Sequence, residues 1–154
     1  MSEQTILILN DIRSVHNVGS IFRTADAAGV TELFLVGYTP LPVDRFGRIN
    51  HEIKKTALGG ERSVPWKHVR TWNQCEEKLR KDGYSIVVVE QAPRAVSYRR
   101  LRGKRDPALV FGNEVRGVPK QVLDRADMIV ELPMRGKKES LNVAVAAGII
   151  LYSL

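Results

Sequence analysis

A single cysteine, Cys75, stands in 154 residues, so no intrachain disulfide can form, and no cysteine–histidine cluster marks a zinc site. Cys75 reads as a small, partly buried side chain, and no metal is expected. Long apolar runs are absent too. The longest, Val143–Tyr152, has ten residues, too few to cross a bilayer as a helix. The amino terminus lacks the basic start, apolar stretch and small-residue cleavage pattern of a signal peptide. The expectations are therefore a cytoplasmic location and no membrane partner. No glycine fingerprint of dinucleotide enzymes follows the first apolar stretch, and there is no phosphate-loop motif. No convincing Ser–His–Asp set or nucleophilic cysteine speaks for covalent hydrolysis. Internal repeats and low-complexity linkers are missing, and the length suits one domain, residues 1–154.

Acidic residues are the scarcer charge: 17 against 24 lysines and arginines, a net +7. The imbalance is local. Residues 91–105 carry Arg94, Arg99, Arg100, Arg102, Lys104 and Arg105 without one acid. Residues 45–72 carry Arg45, Arg48, Lys54, Lys55, Arg62, Lys67 and Arg70 against Glu52 and Glu61. Such segments attract a polyanion, although a solvated surface has the same composition, and charge does not separate RNA from DNA.

What is present in quantity is alternation. Thr5–Leu9, Glu32–Val36, Ser85–Val89, Ala108–Phe111 and Met128–Leu132 read as short apolar strands, with partial strand character at Trp66–Trp72. Between them, helical spacing predicts helices at Asn17–Gly29, Asn50–Leu58, Asn73–Lys81, Val118–Arg125 and Ser140–Tyr152. Continuous apolar strands separated by helices predict an α/β fold, a mostly parallel sheet covered on both faces. Ligands in such sheets gather beyond the carboxyl ends of the strands.

Three segments lie at such ends. In Asn17-Val18-Gly19-Ser20-Ile21-Phe22-Arg23, Asn17 is a candidate cap, and Gly19 and Arg23 share one helix side, the glycine clearing space where another backbone or a ligand must come close and the arginine presenting its fork. In Phe111-Gly112-Asn113-Glu114-Val115-Arg116-Gly117, a buried strand stops at a glycine-bounded turn, with Glu114 placed to pair with Arg23 or Arg116. The third runs from Leu132-Pro133-Met134-Arg135-Gly136 to Ser140-Leu141-Asn142-Val143, where Ser140 is a candidate cap. The helix that follows puts Leu141, Val145, Gly148, Ile149 and Tyr152 on one side and Val143, Ala146 and Ile150 on another. A helix apolar nearly all round asks to be buried, its second side against another subunit.

With their order and spacing, these segments resemble the motifs of the SpoU, or TrmH-like, branch of the SPOUT RNA methyltransferases, over roughly Leu7 to Tyr152. Ala144 departs from the serine often found there in the family. The resemblance implies a SPOUT-type α/β knot with a deep C-terminal trefoil knot, and a homodimer with its active site near the subunit boundary. It implies S-adenosyl-L-methionine as cofactor, held by Phe111, Gly112, Asn113, Gly117, Leu132, Met134, Gly136, Ser140 and Leu141. It makes Arg23 the principal catalytic residue, completed by Asn17, Glu114, Ser140 and Asn142. The implied reaction is methyl transfer to a ribose 2'-hydroxyl of RNA. Transfer RNA is favoured over ribosomal RNA by the Lys55-Thr56-Ala57-Leu58-Gly59 stretch. The expected RNA contacts are Arg45, Arg48, Lys54, Lys55, Arg94, Arg99, Arg100, Arg102, Lys104, Arg105 and Arg116. The amino- or carboxy-terminal RNA-binding additions of several relatives are not expected. Base methylation by a knotted enzyme, and a non-catalytic RNA-binding relative, stay open at this point.

Overall fold

The computed structural model describes residues 3–154. Seven strands form one sheet: β1 (Ile6–Asn10), β2 (Glu32–Val36), β3 (Trp66–Val69), β4 (Ser85–Val89), β5 (Val96–Ser97), β6 (Pro107–Phe111) and β7 (Met128–Glu131). Their spatial order is β3-β2-β1-β6-β4-β7-β5, and every neighbouring pair is parallel. The helices are α1 (Val15–Ala28), α2 (His51–Ala57), α3 (Gly60–Ser63), α4 (Trp72–Lys81), α5 (Lys120–Arg125) and α6 (Val143–Leu151).

The alternation of strand side chains explains why both faces are dry. Leu7, Leu9, Leu33, Leu35, Val87, Leu109, Phe111 and Val130 point to one face, where they meet Val18, Ile21, Phe22 and Ala25 of α1, Ile53 and Ala57 of α2, and Ala147, Ile150 and Leu151 of α6. Ile6, Ile8, Phe34, Val36, Ile86, Val88, Ala108, Val110 and Ile129 point to the other, under Trp72, Cys75 and Leu79 of α4 and Val122 of α5. Burial also pushes the Cys75 thiol up to about 12, with the neighbouring Glu76 charge adding to the rise, so this sulfur is a packing group rather than a nucleophile.

Two expected caps are corrected. Ser14, not Asn17, caps α1, accepting from the Asn17 N–H at 3.2 Å. Asn142, not Ser140, caps α6, its Oδ1 accepting from the Ala144 and Val145 N–H groups at 2.9 and 3.2 Å. In both places the helix boundary moves because a neighbouring residue has the extended backbone and short polar side chain that a cap requires. The stop at Gly29 is as expected, a left-handed residue at φ 74°. The short α3 was not legible. The basic stretch after β4 also contains more order than a loop: the two residues of β5, then a single tight helical turn at Tyr98–Leu101.

Of the two readings of Gly19, close approach of another backbone is the one observed: it lets α2 approach α1, and a Cβ there would lie 1.7 Å from Thr56 Oγ1 and 2.7 Å from the Ile53 carbonyl oxygen.

Candidate active site

The sheet order reverses direction of growth between β1 and β6, the place where parallel sheets open a crevice. Four adjacent strands, β1, β6, β4 and β7, end on the same edge there. The segments that follow them line one cleft of about 460 Å³. Asn17 comes from beyond β1, Val89, Glu90 and Gln91 from β4, Phe111–Val115 and Gly117 from β6, and Leu132, Met134, Ser140, Leu141, Asn142, Val143 and Ala146 from beyond β7.

One chain of hydrogen bonds joins the three motif segments. Glu114 Oε1 accepts from the Asn17 side-chain amide at 3.2 Å, and Asn17 Oδ1 accepts from the Asn142 amide at 3.0 Å. Glu114 also takes the Ser14 N–H, from the residue that caps α1, at 3.1 Å and the N–H of Arg13 just before it at 2.9 Å. Burial raises the Glu114 carboxyl's pKa, but the backbone donors and the Asn17 amide outweigh it, so the group sits below the ordinary carboxylate range. The expected pairing of Glu114 with Arg23 or Arg116 is therefore replaced. The carboxylate is spent on the helix start and on Asn17, which is free to bridge because Ser14 does the capping.

The turn after β6 is closed by contact as well as by hydrogen bonds. A Cβ on Gly112 would meet the Gly117 carbonyl carbon at 2.6 Å and its oxygen at 2.7 Å. Glu90 locks the turn from β4, accepting the Val118 N–H at 2.9 Å. Val89, Glu90 and Gln91 are site residues that sequence reasoning missed. The signal available was position: they follow a fully apolar strand, as the three recognised motifs do.

The remaining predicted residues separate. Gly136 is exposed and does not line the cleft, its Cβ position facing open space. Arg23 is exposed on α1 and outside the cleft lining of its own chain. Arg116 lines a neighbouring cleft instead. Arg45 and Arg48 lie over the exposed Phe46 ring, 4.8 and 5.1 Å from its centre, and Arg48 is tied to Asp44 at 2.7 Å. Lys54 and Lys55 are exposed on α2. Arg94 is engaged by the Leu123 carbonyl. Arg99, Arg100, Arg102 and Arg105 are exposed and Lys104 half-buried. The two basic stretches lie toward opposite edges of the sheet, one after β2 and one around the edge strand β5.

A profile of the SpoU rRNA Methylase family matches residues 4–152. The chain belongs to this family. A Staphylococcus aureus (strain COL) protein assigned to the TrmH family of tRNA/rRNA methyltransferases is 33% identical over 150 residues, 97% of this chain and 58% of that protein. The crystal structure of an AdoMet-bound rRNA methyltransferase from Sinorhizobium meliloti superposes with a TM-score of 0.89 at 31% identity, covering 99% of this chain and 56% of that one. A structure described as giving insight into 2-OH methylation of C/U34 on tRNA superposes with a TM-score of 0.82 at 29% identity, covering 97% and 93%. The chain thus spans 58% of the length of the Staphylococcus relative. The parallel α/β sheet flanked by helices is the SPOUT knot fold that this SpoU member shares with its structural neighbours. Among the described residues, no helix is long and apolar enough to cross a membrane.

Proposed function

We propose that residues 1–154 form a single catalytic domain that transfers a methyl group from S-adenosyl-L-methionine to a ribose 2'-hydroxyl of RNA. The observation that carries this reading is the Glu114–Asn17–Asn142 chain, which ties three distant segments together at the lip of one cleft. The cleft suits an amphipathic cofactor. Val89, Phe111, Leu132, Met134, Leu141, Val143 and Ala146 give apolar walls, and Glu90, Gln91, Ser140 and the turn backbone give polar positions. When bound there, the cofactor supplies a methyl group already activated on a sulfonium.

The protein's part is placement and exclusion of water. Phe111, Gly112, Asn113, Gly117, Leu132, Met134, Ser140 and Leu141 are assigned to hold the cofactor. Asn17, Glu114 and Asn142 fix the segments relative to one another, so that methyl and ribose oxygen meet in reacting geometry. Glu114, already saturated with donors and held ionised, is a tether and not a proton acceptor. The Arg23 guanidinium is assigned to stabilise the oxyanion that develops as the hydroxyl passes its proton to solvent water.

Arg23 does not line the cleft of its own chain, and we infer that it serves the cleft of a second copy. On α6 and its C-cap Tyr152, Val145, Ile149 and Tyr152 are 51%, 40% and 70% exposed, an apolar side left uncovered while Ala147, Ile150 and Leu151 face the core. A Cβ on Gly148 would lie 3.6 Å from Thr24 Cγ2, so Arg23 sits at the level where α1 meets α6. A homodimer packed on this side places Arg23 at the subunit boundary. Among RNAs, transfer RNA is favoured by the neighbour concerned with C/U34 and nearly matched in length to this chain.

The test is transfer of labelled methyl from S-adenosyl-L-methionine to unmodified transfer and ribosomal RNA, followed by nucleoside digestion. Label recovered in 2'-O-methylnucleosides, and Arg23→Ala retaining cofactor binding while losing most transfer, is the expected result. Label on a base, or no transfer, overturns the reading.

A further inference from the structure

Beside the main cleft lies a second of about 490 Å³, lined by Arg13, Tyr38, Asn113, Val115 and Arg116. Asn113 and Val115 border both clefts, so the turn that begins at Asn113 is the partition between them. Two guanidinium groups line this second cleft and no carboxylate does. Among the described residues, neither the Arg13 nor the Arg116 side chain makes a hydrogen bond or ion pair, whereas Arg48, Arg80 and Arg125 are held by Asp44, Asp127 and Glu76. The third element is a flat ring: Tyr38 is 56% exposed.

The walls are built rather than incidental. Asn113, only 7% exposed, uses both ends of its amide. Its Nδ2 donates to the Asp11 carbonyl at 3.0 Å and to the Tyr38 hydroxyl oxygen at 2.9 Å. Its Oδ1 accepts from the Val115 N–H at 2.9 Å and the Arg116 N–H at 2.8 Å. The Arg13 N–H is held by Glu114. Both arginines are thus pinned by their backbones while their forks stay unengaged, next to an aromatic ring oriented by its hydroxyl. Anion-binding forks beside a stacking surface are the chemistry that recognises a nucleotide.

Building on the ribose-methylation reading, we propose that this second cleft seats the RNA nucleotide. Arg13 and Arg116 hold its phosphodiester, Tyr38 stacks on its base, and the Asn113–Gly117 turn presents its ribose to the main cleft. Of the three, Arg13 and Tyr38 lie outside the motifs and the basic stretches.

The experiment uses the whole chain, bulk unmodified transfer RNA and a short single-stranded oligoribonucleotide as probes, with S-adenosyl-L-methionine affinity measured separately by calorimetry. The Arg13→Ala/Arg116→Ala variant should lose at least about 10-fold in RNA affinity, with a shallower dependence of log affinity on log salt by roughly 1 to 2. Tyr38→Ala should lose about 5- to 100-fold, the range for removing one stacked base, while Tyr38→Phe keeps most of the affinity because the ring remains. Cofactor affinity should stay within about twofold in all of them, since these changes leave the backbone contacts of the turn in place. Unchanged RNA affinity and salt slope in the double variant, with a wild type that methylates RNA, overturns the second cleft and leaves the methylation reading standing. Parallel loss of cofactor affinity also overturns it, because the residues would then serve the turn and not the RNA. A wild type that transfers no methyl removes the underlying reading and this inference with it.

Discussion

Asn142 holds two positions at once: its Oδ1 caps α6 and its Nδ2 reaches Asn17 across the cleft. Removing the side chain therefore has a stability cost and a separate positional cost. For Asn142→Ala the lost cap is about 1 kcal/mol. That corresponds to a melting temperature lower by roughly 2–4 °C for a chain of this size, measurable by calorimetry. Methyl transfer should fall further than this small loss accounts for, because Asn17 loses its partner from the third segment. Asn142→Asp, which keeps the cap and replaces the donor, should restore the melting temperature but not the transfer rate. Glu114 gives a pH signature. Its carboxyl is lowered from the ordinary value of 4.5, so the stability it contributes is fully present above that value and is lost as pH falls through the lowered one. The stability difference between wild type and Glu114→Gln, followed by denaturant unfolding, should therefore be constant near neutrality and shrink in acid. A difference independent of pH would show that the tether does not depend on charge.

At the scale of the element, the close approach of α1 and α2 depends on Gly19 having no side chain. Gly19→Ala drives a methyl group into Thr56 and the Ile53 carbonyl. Overpacking of this kind costs about 1–3 kcal/mol. It should shift the denaturant midpoint downward without changing the slope. Gly19→Ala combined with Thr56→Ser should do no better than the single change, because serine keeps the Oγ at 1.7 Å and the backbone carbonyl contact at 2.7 Å also remains. α6 divides its surface three ways: Ala147, Ile150 and Leu151 to the core, Val143 and Ala146 to the cleft side, and Val145, Ile149 and Tyr152 outward. This division explains a helix with so little polarity. It packs on α1, closes a cleft and leaves one apolar side exposed.

At the scale of the whole molecule, the proposed homodimer accounts for both that outward side and the absence of Arg23 from the lining of its own cleft. Val145→Asp/Ile149→Asp should convert a dimer to a monomer in analytical ultracentrifugation and abolish methyl transfer, while each chain keeps its fold by circular dichroism. A monomeric variant with full activity would take Arg23 out of the reaction. Mixing Arg23→Ala with Asn142→Ala subunits should restore part of the activity if the arginine serves the partner's cleft. The parallel sheet contributes what no single element can. By ending four neighbouring strands on one edge, it brings Asn17 to Glu114 and Asn142, which are 97 and 125 residues away in sequence.

The strands at Glu32–Val36 and Ser85–Val89 were legible residue for residue, because a strand buried on both faces must be apolar throughout and is bounded by polar or glycine residues. The three motif segments were legible too, since a glycine-bounded turn and a polar helix start leave a local pattern. The caps at Ser14 and Asn142 were not: several short polar residues stand near each helix start, and only the backbone path decides which side chain meets the free N–H groups. Nor could Glu114's partners be read, because Arg13, Ser14 and Asn17 are remote in sequence and reach it through the order of strands. Local chemistry is written in neighbours along the chain. Which distant groups satisfy one another is decided by a sheet whose pairing is set by burial and register over its whole width.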